Sequence, residues 1–210
     1  MQKHVELFGA QTGNCIRAAI ALEEAGIPYV VRHVDLGRGE QRQAEFLSLN
    51  PAGKVPVMID DTDAAAPMVL SQSNAIMLYA MEKAPGRLLP ADGAAERAVA
   101  LERYFYFVTD VIGPSHAAFY LKYQRMTDAA AALQSLAVRR LADAERFVAQ
   151  SPFIAGDQFT IADIAAFTIA GSMQAELESL SLPNLGRWFR DVAARPAVAR
   201  GYRAFALDVA

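Results

Sequence analysis

Three residues in the stretch FGAQTGNCIR, residues 8–17, carry side chains suited to sulfur chemistry: Thr12, Asn14 and Cys15. They lie where an alternating apolar run gives way to a helical one, and Cys15 is the only cysteine in the chain. A thiol with an unperturbed pKa of about 8.5 is mostly protonated at neutral pH. It needs hydrogen-bond donors and a positive helix end to ionise. Thr12 offers an O–H and Asn14 an amide N–H at such a helix start. Two chemistries follow from the same residues. Either Cys15 is itself a nucleophile, or its polar neighbours stabilise the thiolate of a ligand.

Two further segments present groups that bind rather than react. Ser71-Gln72-Ser73-Asn74 leads straight into a helical run, and the free amides of a helix start attract a carboxylate, with hydroxyl and amide side chains adding hydrogen bonds. Read alone, the same residues serve equally as an ordinary helix cap. Val55-Pro56 opens an apolar run after Asn50-Pro51-Ala52-Gly53-Lys54. A cis bond there would turn the Val55 amide and carbonyl outward to pair with an extended peptide, whereas a trans proline would simply open a strand. Thr160-Ile161-Ala162-Asp163 has the spacing of a capping box, which makes Asp163 a folding signal rather than a catalytic acid. The aromatics at 104–107 and 119–123 belong mostly to a core, although consecutive ones cannot all face one way. His116 reads as a surface or hydrogen-bonded histidine. The three histidines and Cys15 show no metal-ligand spacing, and neither a phosphate loop nor a serine nucleophile elbow is present.

The elements that must hold these residues change character near residue 85. Before it, the pattern predicts a strand at 4–8, a helix at 14–25 closed by Gly26, and a strand at 28–36. A weak helix at 40–49 follows, then a strand at 55–59, a turn at 60–63, a strand at 68–70 and a helix at 72–83. The order βαβαββα combines a right-handed parallel crossover with a late hairpin, a thioredoxin-like plan. Residues 83–92 hold two prolines and a glycine and read as a linker. Beyond it every run is helical: 93–125, kinked at Gly113-Pro114, then 128–150, 160–171, 184–194 and 196–205. The expectation is a thioredoxin-like domain over 1–82 and an all-α domain over 93–210.

Composition removes several classes of function. The 210 residues are 53% hydrophobic and 20% charged, enough for a sizeable core. A net charge of −3 leaves no basic surplus for nucleic-acid phosphates. A single cysteine forbids an intramolecular disulfide, which points to a reducing, cytoplasmic setting. The N-terminal stretch lacks the apolar run of a signal peptide, and no run approaches the roughly 18 apolar residues of a membrane span.

Taken in order, ALEEAGIPY, NPAGKVPVMID, LSQSNAIMLYAMEK, FIAGDQFTIADIAAF and LPNLGRWFRDVAARPAV resemble the cytosolic glutathione transferases over nearly the whole chain. The resemblance implies glutathione as co-substrate, no metal, a homodimer and a role in detoxification. It also raises the expectation of a cis Val55-Pro56 bond. By resemblance, the Val55 backbone beside Pro56 pairs with the cysteinyl part of glutathione. Gln72 and Ser73 take the γ-glutamyl carboxylate, Lys54 helps neutralise the glycyl carboxylate, and Asp110 of the partner subunit meets the γ-glutamyl amine. In serine-type members of the theta and zeta classes the catalytic hydroxyl lies fourteen positions before the glycine closing the first helix, which here is Thr12. In beta-class relatives a cysteine lies twelve before it, which here is Asn14. Nu-class members carry Thr-Pro-Asn where this chain has Thr12-Gly13-Asn14. Cys15, one residue further in, turns toward the core as a small hydrophobe; its rival reading is an accessible thiol that forms mixed disulfides with glutathione.

The resulting expectation is a bound glutathione thiolate, held by Thr12 and Asn14. It attacks an apolar electrophile in a pocket of Phe107, Val111, His116 and Tyr120. The alternatives are a nu-like disulfide or peroxide reductase, and a non-catalytic relative that binds glutathione or hydrophobic ligands.

Overall fold

The computed structural model describes residues 4–62 and 67–207. The expected turn at 60–63 therefore runs out of the described residues at Asp63. Contacts divide the chain into two compact units: residues up to Leu88 together with those from Arg195 onward, and residues Leu89–Ala194.

The first unit is built on a four-stranded sheet. β1 (Val5–Gly9) alternates buried and half-buried residues, as a strand covered on one face should. β2 (Tyr29–His33) pairs parallel to it, β3 (Val57–Asp60) antiparallel on its other side, and β4 (Met68–Ser71) antiparallel to β3. The order β2-β1-β3-β4 is the thioredoxin-like sheet that the sequence pattern implies. The connections are α1 (Gly13–Ala25), a 3₁₀ turn at Glu40–Arg42 with α2 (Ala44–Leu49), and α3 (Ser73–Lys83) after the last strand. β3 starts two residues later than expected, after a cis Val55-Pro56 bond.

α1 is buried over every residue from Cys15 to Leu22, because it packs against α3 on one side and a late helix on the other. That late helix, α10 (Pro196–Arg203), approaches so closely that a Cβ on Gly201 would lie 2.6 Å from the Ile20 backbone nitrogen. Arg195 clamps Glu24 with two bonds of 2.7 and 2.8 Å, and Arg200 reaches Glu23 at 2.7 Å. The sequence pattern groups this helix with residues 93–210, whereas its packing partners are those of the first unit. Gly26 ends α1 at φ 73° and donates its N–H to Glu23 O, the left-handed stop that glycine accepts without strain.

The second unit is helical. α4 (Ala95–Tyr106) continues through a π-helical segment, Phe107–Ile112, into α5 (Gly113–Tyr123). The sequence places the distortion at Gly113-Pro114; the structure starts it six residues earlier. Pro114 has no N–H and its ring crowds the carbonyl four residues back. The preceding turn widens instead, with the Gly113 N–H bonding Val108 O, five residues back. α6 (Thr127–Ala142) ends in a 3₁₀ turn, Asp143–Phe147, earlier than the expected 150. α7 (Ile161–Ser172) is buried from Ile161 to Ala170 and forms the centre of the unit, as a helix apolar all round must. The short α8 (Gln174–Glu178) has no counterpart in the sequence reading, and α9 (Pro183–Ala193) completes the unit.

The capping box at α7 forms. Asp163 accepts the Thr160 N–H at 2.9 Å, and its other oxygen takes Ile154 N–H at 2.9 Å and the Trp188 indole at 2.8 Å. Burial pushes its carboxyl up to about 6 in spite of these donors. Among the described residues no helix is long and apolar enough to cross a membrane.

Candidate active site

The turn out of β1 brings Thr12 to the start of α1 in an extended conformation, φ −126°. Its Oγ1 accepts the Cys15 N–H at 3.4 Å, capping the helix. A hydroxyl that accepts at its oxygen keeps its proton to donate elsewhere, so the cap and the thiol-donor role are compatible. Gln11, one residue before, is anchored by a 2.9 Å bond from its Nε2 to Tyr202 O on α10. No acidic residue occupies the first turn of α1, so nothing offsets the positive helix end there.

Cys15 is fully buried. Burial pushes its thiol up, against a side-chain hydrogen bond with Thr12 and a 3.5 Å contact from the Ala10 N–H to Sγ. A buried thiol with a raised pKa is inert toward disulfides in solvent. Of the two readings left open by the sequence, the structure removes the accessible cysteine.

Asn14 stands half-buried one position earlier. Its Oδ1 accepts a 2.9 Å bond from Arg17 Nη1, and the same nitrogen donates to Ser73 Oγ at 3.2 Å. One guanidinium thus ties the start of α1 to the start of α3. Arg17 is only 2% exposed. The sequence reading missed it, although an arginine inside an apolar helical run, three residues after Asn14, is the kind of outlier that flags such a role.

At the start of α3, Gln72 is exposed and Ser73 buried. Gln72 adopts φ 77°, ψ 115°, a backbone region that disfavours side chains. Strain of this kind is kept where the surrounding structure fixes a functional geometry. Across the sheet, Lys54 is exposed, Val55 half-buried and Pro56 buried. Asn50, a second residue missed from sequence, shapes this loop: its Nδ2 bonds Lys54 O at 2.6 Å and its Oδ1 takes the Ala52 N–H at 3.1 Å. Outside the ladders, no backbone hydrogen bond among the described residues uses the Val55 amide or carbonyl.

The four residues expected to form an electrophile pocket do not present one wall. Phe107 and Val111 are fully buried, Phe107 edge-on to Tyr106 and Phe147, whereas His116 and Tyr120 are exposed. At 100° per residue Phe107 and Val111 share one face of a regular helix while His116 and Tyr120 fall roughly opposite, and the π turn at 107–112 shifts the register between the two pairs. Asp110 is exposed and accepts a 2.9 Å bond from Thr109. Among the described residues no cluster of His, Cys, Asp or Glu could hold a metal ion.

The N-terminal domain family of the glutathione S-transferases matches residues 13–83, and the C-terminal domain family matches residues 103–196. The chain is 30% identical over 199 residues to the disulfide-bond oxidoreductase YfcG of Escherichia coli K12, covering 92% of each chain. To YghU of the same organism, also named a disulfide-bond oxidoreductase, it is 31% identical over 217 residues, covering 95% of this chain and 74% of that one. Among solved structures it is similar to a glutathione transferase from Burkholderia graminis with two glutathione molecules bound per subunit. That similarity has a TM-score of 0.78 and 32% identity over 96% of this chain and 88% of the other. Matched to relatives of this identity along most of their length, and folded as the family folds, the chain belongs to the cytosolic glutathione S-transferase superfamily.

Proposed function

We propose that the protein binds glutathione at the starts of α1 and α3 and uses its thiolate to reduce disulfides. The observation that carries this reading is the burial of Cys15, the chain's one thiol. A reaction at sulfur must then draw its nucleophile from the ligand. The Thr12 hydroxyl and the Asn14 amide at the positive end of α1 stabilise that thiolate. The Val55 backbone pairs with the cysteinyl part, Gln72 and Ser73 hold the γ-glutamyl carboxylate, and Lys54 faces the glycyl end. A homodimer would add Asp110 of the partner subunit, and the cytoplasm keeps glutathione reduced.

The chemistry balances with two glutathiones. The bound thiolate attacks one sulfur of the substrate disulfide, forming a mixed disulfide and expelling the other sulfur as a thiolate. A second glutathione thiolate attacks the glutathionyl sulfur of that mixed disulfide. It yields oxidised glutathione and the second substrate thiolate, for a net transfer of two electrons. Two findings favour this reading over conjugation: the names of YfcG and YghU, and the two glutathiones bound to the Burkholderia relative. Conjugation of an electrophile remains the second reading, supported by the E. coli relative named glutathione S-transferase GstB, 31% identical over 206 residues. Purified protein is assayed with reduced glutathione and either hydroxyethyl disulfide or chlorodinitrobenzene. The proposal expects one oxidised glutathione per disulfide consumed, at a rate well above that with the aryl halide. Fast thioether formation with no disulfide reduction would overturn it in favour of conjugation.

A further inference from the structure

We infer that Arg17 is a positioning residue that fixes both ends of the thiol site as hydrogen-bond donors; the inference rests on the glutathione reading above. The geometry is a single nitrogen, Arg17 Nη1, bonded to Asn14 Oδ1 at 2.9 Å and to Ser73 Oγ at 3.2 Å within the first unit. A guanidinium has donors and no acceptor. It therefore selects which end of the Asn14 amide faces it. Only Oδ1 can, so Nδ2 and its two N–H groups must point the other way. Ser73 is constrained less strictly. Its oxygen accepts from Arg17, so its one proton is left to donate outward.

An asparagine without this constraint could rotate its amide by half a turn at little energetic penalty and present an acceptor to an anionic sulfur. Arg17 removes that alternative for Asn14 and fills one acceptor position of Ser73, whose proton stays available, and the two donors suit the two anions of the proposed ligand, a thiolate and a carboxylate. The two tasks are linked through one side chain although their residues lie 56 positions apart. Arg17 is 2% exposed and lies in the second turn of α1, and it reaches the site through its bonds to Asn14 and Ser73.

The test is a double-mutant cycle read as the pKa of enzyme-bound glutathione, followed by thiolate absorbance in Arg17→Met, Asn14→Ala and the double variant. Arg17→Met is expected to raise the bound-thiol pKa by about one unit, roughly a tenfold loss of thiolate below it. In the Asn14→Ala background the same change is expected to leave the pKa unmoved. The KM for glutathione should rise with it through Ser73. Arg17→Lys, which keeps a donor-only cation, should restore most of the shift. An equal rise in both backgrounds would overturn the inference, since Arg17 would then act as a distant charge; so would no rise in either. If Arg17→Met does not fold, Arg17→Gln enters the same cycle. Its amide can accept from Asn14 Nδ2 and release the constraint, so the same rise confined to the Asn14 background is expected, and its absence overturns the inference. A wild type whose bound thiol is unshifted refutes the glutathione reading itself, and the inference with it. A shifted wild type with additive variants refutes only the role of Arg17.

Discussion

Replacing Cys15 by alanine separates the two possible sources of sulfur, because stability and activity should respond on different scales. The side chain is fully buried, and its Sγ takes a weak 3.5 Å contact from the Ala10 N–H. Deleting one buried heavy atom of methylene size loses about 1 kcal/mol of transfer free energy. A cavity of roughly 20 Å³, at about 24 cal/mol per Å³, adds around 0.5 kcal/mol. The fold should therefore lose about 1–2 kcal/mol, or some 3–6 °C in Tm for a chain of this size. Glutathione-dependent disulfide reduction should stay within about twofold of wild type below the transition, since the nucleophile is the ligand's sulfur. The assay is oxidised glutathione formed from hydroxyethyl disulfide, with melting followed by circular dichroism. If Cys15 were the nucleophile, a folded Cys15→Ala protein would lose about a thousandfold or more. That outcome would refute the reasoning.

Three other substitutions probe the scaffold. Gly201→Ala should destabilise by about 1–3 kcal/mol in denaturant unfolding: the new Cβ would sit 2.6 Å from the Ile20 backbone, and overpacking exceeds the ~1 kcal/mol of helix propensity that alanine gains. Stabilisation would show that α10 sits farther from α1. Gln72→Gly should relieve the φ 77° strain, leaving stability unchanged or raised by up to about 1 kcal/mol while KM for glutathione rises, measured by unfolding and initial rates. A clear loss of stability with unchanged KM would contradict it. Asp163→Asn should destabilise by about 2–4 kcal/mol, because its NH₂ cannot accept the donors that one carboxylate oxygen now satisfies. Since burial raises the folded Asp163 pKa to about 6, above the ordinary 3.8, the folded form holds a proton that the unfolded chain releases between those values. The stability this gives is complete below about pH 4 and is lost as pH rises through 6. Denaturation midpoints from pH 4.5 to 7 should therefore show wild type falling relative to Asp163→Asn, and a constant difference would refute the raised pKa.

What the sequence made legible was local. Gly26 reads as the stop of the first helix because capping needs residues within one turn, and the order of elements up to α3 follows from their periodicity. The capping box of Thr160 and Asp163 was readable for the same reason. Arg17 was not, because its meaning depends on Ser73, brought near only by the packing of α1 on α3. Asn50 acts through a carbonyl across a turn, which no side-chain pattern records. The expected pocket of Phe107, Val111, His116 and Tyr120 was drawn from one long helix, and the π turn inside that helix, which sets the direction of each face, leaves no mark in the residue pattern. The packing of α10 on α1 turns on one absent Cβ at Gly201, a contact no window of neighbouring residues encodes.

The central claim is that the reactive sulfur belongs to bound glutathione and is ionised by the start of α1. Thiolate absorbance of enzyme-bound glutathione, titrated against pH in the wild type and in Asn14→Ala, tests it most directly. The account predicts a bound-thiol pKa well below the free value of about 8.5, rising in Asn14→Ala while glutathione still binds. A pKa unshifted in the wild type, or a depressed one that Asn14→Ala leaves in place, would contradict it.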